Sequence, residues 1–484
     1  MLNQLMNLTN RTRTENGAAT LRSTGSHCVD LFATIGALRC ADEREIETRF
    51  LRAYAENPDV AMKILFYARD VRGGLGERRV FRVLMRWLAL NQLPSALHNL
   101  PWVPEYGRWD DLLALLDTPA RGEALALLNY QLGLDLAALD RGEPVSLLGK
   151  WLPSVNAHSA RAVAQARALA SAFGMSPARY RRMLSALRRR IDLLENRLRQ
   201  GDYTFDYALQ PSQAMFRYRH AFLRNDPARY RDYLARVNRG EAALHTGTLM
   251  PYEIVQAAYA AREEDRAALD ASWRALEDFT DGENALVVAD GSGSMYWGGR
   301  PTPASVAQSL AIYFAQRNRG AFRDHFITFS MNPRLVRVMG ADIVEQVRYC
   351  RSFNECANTD LQKVFELILQ AAVENRLPQA ELPSTLYIVS DMEFDACARG
   401  ADITNFDWAR NLYRRHGYRL PRVVFWNVQS RNEQQPVRCN AQGVALVSGC
   451  TPRIFSQVMS GETDPYRNMM AVVGADRYAA IGAR

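Results

Sequence analysis

Apolar and polar residues repeat with two different periods along this chain, and the change falls near residue 281. Up to about residue 278 the apolar positions recur every three or four residues, the period of amphipathic helices. In "NPDVAMKILFYARD" Pro58 follows Asn57 at a helix start, and positions 61, 64, 65 and 68 share one face. "VRGGLGERRVFRVLMRWLAL" breaks at Gly73 and Gly74 and resumes as another amphipathic helix. In "SPARYRRMLSALRRRIDLLENRLRQG" Ser176 is the cap, Pro177 lies in the first turn and Gly201 is the stop. Leu184, Leu187, Ile191, Leu194 and Leu198 form its apolar seam, so the pattern predicts one helix. Many successive helices without a strict repeat predict an all-α, HEAT-like solenoid or ring over 46–278, preceded by an N-terminal extension over 1–45.

Beyond residue 281 short β-branched or aromatic runs alternate with helical segments. "ALVVAD", "HFITFS", "TLYIVSD", "RVVFWNV" and "GVALVSG" read as strands, with helices near 303–319, 359–377, 405–416 and 451–459. Continuously apolar strands between helices predict an α/β, doubly wound, mostly parallel sheet over 282–475, covered on both faces. Ligands bind such sheets at the carboxyl ends of the strands.

A chain of 484 residues exceeds what one ordinary core serves, in keeping with two domains. With 48% hydrophobic and 23% charged residues it has a globular composition. It shows neither a cationic-then-apolar leader nor an apolar run of about 18 residues, so the expected location is cytoplasmic, without membrane contact. The 7 cysteines lack a CxxC pair and fit neither a disulfide framework nor a zinc cage.

Charge changes the picture more. The net charge of +8 is concentrated in residues 141–240, which hold nineteen Arg or Lys against seven Asp or Glu. Lys63, Lys150 and Lys363 are the only lysines, a bias that a GC-rich genome explains. Arg181, Arg182, Arg188, Arg189 and Arg190 lie on or beside the polar face of the 176–201 helix, where they are either solvated or in contact with phosphate. "MFRYRHAFLRND" and "ARYRDYLARVNRG" interleave Phe216, Tyr218, Tyr230 and Tyr233 with Arg217, Arg219, Arg229 and Arg231. Such a surface suits single-stranded nucleic acid, unless the aromatics are core and only the arginines see water.

The strand "ALVVAD" ends on Asp290, and "GSGSM" follows with Ser292 and Ser294 at alternate positions. That spacing aims three oxygens to one side, while Gly291 and Gly293 permit close backbone approach. An EF-hand would need an acid where Pro301 stands, and a phosphate-binding P-loop would need a GK[ST] ending. Thr359 opens a later helix and Asp391 ends a later strand, and both belong at the same sheet edge. Asp290, Ser292, Ser294, Thr359 and Asp391 then offer five hard oxygen donors, enough with water for Mg²⁺ or Mn²⁺.

These positions resemble the metal-ion-dependent adhesion site of von Willebrand factor A domains, over roughly residues 282–475. The resemblance implies direct ligation by Ser292, Ser294 and Thr359, ligation often through water by Asp290 and Asp391, and a partner's carboxylate completing the shell. One departure stands out: the third loop of that family reads acid-glycine, whereas "SDMEFD" adds Glu393 and Asp395, either further ligands or solvent-facing acids. A helical solenoid before such a domain is similar to the Ro autoantigen family, whose TROVE module is a ring of helical repeats holding small non-coding RNAs. "GKWLP", "YRRMLSALRRRIDLLENRL", "PSQAMFRYRHAF" and "RYRDYL" carry that likeness, and "RDVRGGLGER", "YGRWDDLL", "HTGTLMPYEI" and "SDMEFD" mark a Ro-like group.

The resemblance implies a protein that binds structured or single-stranded RNA, with Lys150, Arg181, Arg182, Arg188, Arg189, Arg190, Arg217 and Arg219 as candidate contacts. A different class remains open: a scaffold whose metal grips a protein partner's Glu or Asp, without RNA. An enzyme is the least expected class. The 7 histidines occur singly, and Ser292 lacks a nucleophile elbow. A nuclease sharing two ions among Asp290, Asp391, Glu393 and Asp395 is the one catalytic arrangement these residues offer. "RGGLGERR" follows a helix rather than a strand and reads as an inter-helix turn.

Overall fold

The computed structural model describes residues 1, 5, 8–280, 284–330, 332–353, 360–395, 403–458 and 464–484. A largely helical N-terminal region precedes a C-terminal α/β region built on one six-stranded sheet. The first residues form a short hairpin, β1 (Arg11–Arg13) and β2 (Ala19–Leu21). The sheet comprises β3 (Ala285–Asp290), β4 (His325–Phe329), β5 (Leu335–Arg337), β6 (Thr385–Ser390), β7 (Arg422–Asn427) and β8 (Val444–Ser448). Its order is β5-β4-β3-β6-β7-β8, parallel except for β5, an antiparallel edge strand absent from the sequence pattern. Leu335 and Arg337 are exposed and only Val336 is buried, too short an alternation to stand out in the sequence.

Chain order runs outward from β3 to β4 on one side and then returns to β6 on the other. The switch point therefore lies between the carboxyl ends of β3 and β6, the place where such sheets leave a crevice. The core strands are apolar on both faces because helices cover both. On β7, Trp426 meets Phe455 on one face while its neighbour Phe425 meets Phe406 and Phe394 on the other.

The helical region is bonded to this sheet at both ends. The helix His27–Thr34, capped by Ser26, packs on β7 and β8. The next residues follow the sheet edge closely: Gly36 N–H donates to Ser448 Oγ at 3.0 Å, and a Cβ at Gly36 would lie 2.5 Å from the Ser448 carbonyl oxygen. At the other end, Pro251–Tyr259 packs on the helix Pro303–Arg317. There Gln256 donates to Ser305 at 2.9 Å and Tyr259 to Gln308 at 2.7 Å. Tyr252, Arg39, Glu77 and Cys450 lie within electrostatic reach of one another, so the two ends meet on the α/β region. One continuous hydrophobic core includes Phe32, Phe66, Leu187, Trp273, Val288 and Trp426.

The "RGGLGER" segment is a turn between the helices Pro58–Arg69 and Arg78–Asn91. A Cβ at Gly74 would sit 2.0 Å from the Tyr67 carbonyl oxygen, so the turn requires glycine. Asp70 in this turn is fully buried and accepts from Arg477 Nη2 at 2.7 Å and Tyr478 Oη at 3.1 Å. Arg69 and Asp111 of "YGRWDDLL" form a buried pair at 2.7 Å that Arg82 joins at 2.6 Å. These two motifs are thus held in a buried ionic network.

The 176–201 segment differs from its pattern. One helix spans Pro177–Arg190 and another Leu194–Arg199, with Asp192 between them at φ 55°. Arg197 holds Asp192 through two bonds of 2.9 and 2.6 Å, which fixes the left-handed turn that the leucine seam conceals. Phe205, Tyr207, Phe222, Tyr230 and Tyr233 centre a second, smaller core, whereas Leu249, Ile254, Val255, Ala258 and Leu269 belong to the main one. No helix among the described residues is long and apolar enough to cross a membrane.

Candidate metal centre

β3 ends on Asp290 and β6 on Ser390, with Asp391 next in the chain, and the pairing of Ala289 with Val389 sets these ends side by side at the switch point. Ser390 Oγ donates to Asp290 Oδ2 at 2.6 Å, and the Ser292 amide donates to Oδ1 at 2.8 Å. Gly293–Tyr296 then closes into a tight turn that brings Ser292 Oγ within 3.0 Å of Ser294 Oγ. Asp290, Ser292 and Asp391 are 4%, 7% and 2% exposed. The structure thus gathers four of the five expected ligands, and Thr359 lies outside the described residues.

Two carboxylates buried together repel. Burial first, and then the charge of Asp391, push the Asp290 carboxyl up to about 7, and hydrogen bonds from Ser390 and Ser292 offset only part of that. Asp391 Oδ1 accepts from the Glu393 amide at 3.2 Å, whereas the buried Oδ2 accepts no hydrogen bond within the described residues. The nearest cation to Oδ2 is Arg431 Nη2, at 3.1 Å. Met392 completes the turn at φ 67°, a conformation that costs a non-glycine residue about 1 kcal/mol. Two neighbouring carboxylates, one with an oxygen that accepts no hydrogen bond, and two converging hydroxyls make a donor set that suits a hard divalent cation. Among the described residues no three His, Cys, Asp or Glu side chains gather at metal-binding distance, so a cation here would depend on the hydroxyls.

The acids of "SDMEFD" divide. Glu393 is 3% exposed and turned to the N-terminal hairpin: its Oε2 accepts from the Glu15 amide at 2.8 Å, its Oε1 from Asn432 at 2.8 Å and Gln434 at 2.7 Å. It is therefore not a solvent-facing acid. Asp395 pairs through its backbone with Gly17 of the hairpin. The hairpin tip is bound further by Thr14 Oγ1 donating to the Phe394 carbonyl at 2.5 Å and Asn16 to the Glu393 carbonyl at 2.6 Å.

The candidate RNA contacts also divide. Arg181, Arg182, Arg189, Arg190 and Arg217 are exposed. Arg188 is spent on the chain itself, donating to the carbonyls of Gly149 at 2.9 Å and Leu152 at 2.7 Å. Arg190 likewise donates to the carbonyls of Glu143, at 2.9 Å, and Gly142. Arg219 lies over the Phe216 ring at 4.6 Å and donates to its carbonyl at 2.8 Å, and Lys150 lies 5.4 Å from the Trp151 ring. Tyr230 and Tyr233 are 3% and 4% exposed, so these aromatics are core rather than a stacking platform.

Sequence reasoning missed Ser390, Arg431 and Glu15. Ser390 adjoins a recognised acid and could have been weighed, but Arg431 and Glu15 reach the site from a different strand end and a different terminus, and local spacing carries no trace of that.

Residues 284–475 match a family described as a domain of unknown function, DUF7788. Residues 14–133 and 174–280 match another, DUF2828. The chain is also similar to the uncharacterized protein L728 of Acanthamoeba polyphaga mimivirus, 28% identical over 497 residues, covering 94% of this chain and 86% of the relative.

Proposed function

We propose that this chain is a Ro-like RNA-binding protein, in which the helical region is a HEAT-like ring that binds structured or single-stranded non-coding RNA. The α/β region is then a von Willebrand factor A-type domain holding Mg²⁺ or Mn²⁺ through Asp290, Ser292, Ser294, Thr359 and Asp391, without catalysis. The observation that carries the reading is the meeting of Asp290 and Asp391 with two serine hydroxyls at the sheet's switch point. Anchoring of both ends of the helical region on the α/β region supports a closed path. The exposed guanidinium groups of Arg181, Arg182 and Arg189 on one helix supply the cationic face.

A second reading, a metal-dependent scaffold that grips a partner's carboxylate, gains from the arginines and tyrosines that the fold consumes. Arg188, Arg190 and Arg219 hold backbone carbonyls, which leaves RNA a smaller surface than the sequence suggested.

The test is a gel-shift titration with a structured RNA bearing a single-stranded 3′ tail at two salt concentrations, using wild type, Arg181→Glu/Arg182→Glu and Asp290→Ala. Binding that weakens steeply with salt and is lost in the arginine variant supports the RNA reading, because neutralised phosphates release counterions. Absence of wild-type binding, or binding indifferent to salt, removes it in favour of the scaffold.

A further inference from the structure

We propose that Arg431 is a built-in counter-cation of the metal centre, exchanging with the divalent ion and so coupling metal binding to loosening of the N-terminal hairpin tip at Glu15. The inference rests on the metal reading above. Arg431 lies in the loop after β7 and bridges two acids: Nη2 is 3.1 Å from Asp391 Oδ2, and Nη1 is 3.0 Å from Glu15 Oε2. Asn432 of the same loop donates to both Glu15, at 2.9 Å, and Glu393, at 2.8 Å. Hairpin tip, β7 loop and the Asp391 loop are therefore one bonded assembly, with the guanidinium at its centre.

Asp391 Oδ2 is the oxygen that lacks a hydrogen bond, and Arg431 is the charge that compensates it. A divalent cation ligated at that carboxylate, directly or through water, would stand a few ångströms from the guanidinium. Two positive groups so close in a buried site exclude each other. A metal entering at Asp391 therefore displaces Arg431 and breaks its bridge to the half-exposed Glu15, which loosens the hairpin tip while the bonds from Thr14, Asn16 and Asn432 keep it in place. By linkage the converse holds: whatever loosens the Arg431 bridge tightens the metal.

The experiment is isothermal titration of the full chain with Mn²⁺, comparing wild type, Asp290→Ala, Arg431→Ala and Arg431→Lys, with hydrogen exchange of residues 11–21 followed with and without Mn²⁺. Arg431→Ala is expected to bind Mn²⁺ about tenfold more tightly than wild type, and Arg431→Lys to stay near wild type because its charge is kept. Mn²⁺ should speed exchange at the tip, residues 15–17, and leave the rest of 11–21 unaltered in wild type, and in Arg431→Ala the tip should exchange faster at the outset. Wild-type binding lost in Asp290→Ala but unaltered or weakened in Arg431→Ala overturns the exchange while leaving the metal centre standing. If Mn²⁺ binds neither wild type nor Arg431→Ala, or binds Asp290→Ala equally well, the metal reading itself fails and the proposal with it.

Discussion

At the scale of single residues, Asp290 carries a measurable signature. Burial and the charge of Asp391 push its carboxyl up to about 7, above the value near 4 of an unfolded chain. Between those values the unfolded state releases the proton first, so the metal-free fold loses stability as pH rises from about 4 to about 7 and changes little above. Asp290→Asn removes that loss. Without divalent cations the variant is expected to melt above wild type at pH 8 and level with it near pH 4, and to gain nothing from Mg²⁺. Thermal scans at the two pH values check this, and an equal difference at both would exclude charge repulsion as its cause. The residue types at this site were legible because a strand-ending acid followed by alternate serines is a local pattern. Arg431 was not, since a guanidinium forty residues from Asp391 along the chain acquires meaning only when β6 and β7 pair.

At the scale of elements, the basic helix Pro177–Arg190 shows why charge read along one helix misassigns roles. Its arginines look alike in sequence, but the neighbouring short helix Leu148–Trp151 and its cap Leu152 present carbonyls to one side of it, and Arg188 bonds those of Gly149 and Leu152. Removing this half-buried charged donor leaves those carbonyls without it, at a cost of about 1–3 kcal/mol. Arg188→Ala is expected to lower the unfolding free energy by that margin, read as a lower urea midpoint, while Arg181→Ala/Arg182→Ala leaves it unchanged. RNA binding lost in an Arg188 variant would therefore report on packing as much as on contact, which is why the exposed pair is the better probe. The same scale explains the broken helix at Asp192: the leucine spacing is compatible with one helix, and the Arg197 clamp decides for two.

At the scale of the whole molecule, the α/β region borrows its covering. β7 and β8 are parallel, and the connection between them over 428–443 contains no helix. The helix His27–Thr34, from the far end of the chain, packs there instead, and the hairpin before it covers the Asp391 loop. A fragment of residues 281–484 is accordingly expected to expose an apolar sheet face, bind a hydrophobic dye and melt without cooperativity, and a fragment carrying residues 1–115 should suppress the dye signal on mixing. In the full chain, Gly36→Ala forces a Cβ to within 2.5 Å of the Ser448 carbonyl oxygen and should cost about 1–3 kcal/mol, read as a lower melting temperature.

Sequence alone determined what depends on neighbours in the chain: the helical and strand periods, the place where one gives way to the other, the turn at Gly73 and Gly74, and the acid and hydroxyls at the end of β3. These follow from side-chain periodicity and backbone freedom, which act over a few residues. Tertiary structure decided what depends on distant segments meeting: the β3–β6 switch point that sets Asp290 beside Asp391, the arginines diverted to carbonyls, the hairpin over the site and the guanidinium between Asp391 and Glu15. Burial and electrostatics at those places are set by groups tens to hundreds of positions apart, and only the folded chain brings their charges within reach of one another.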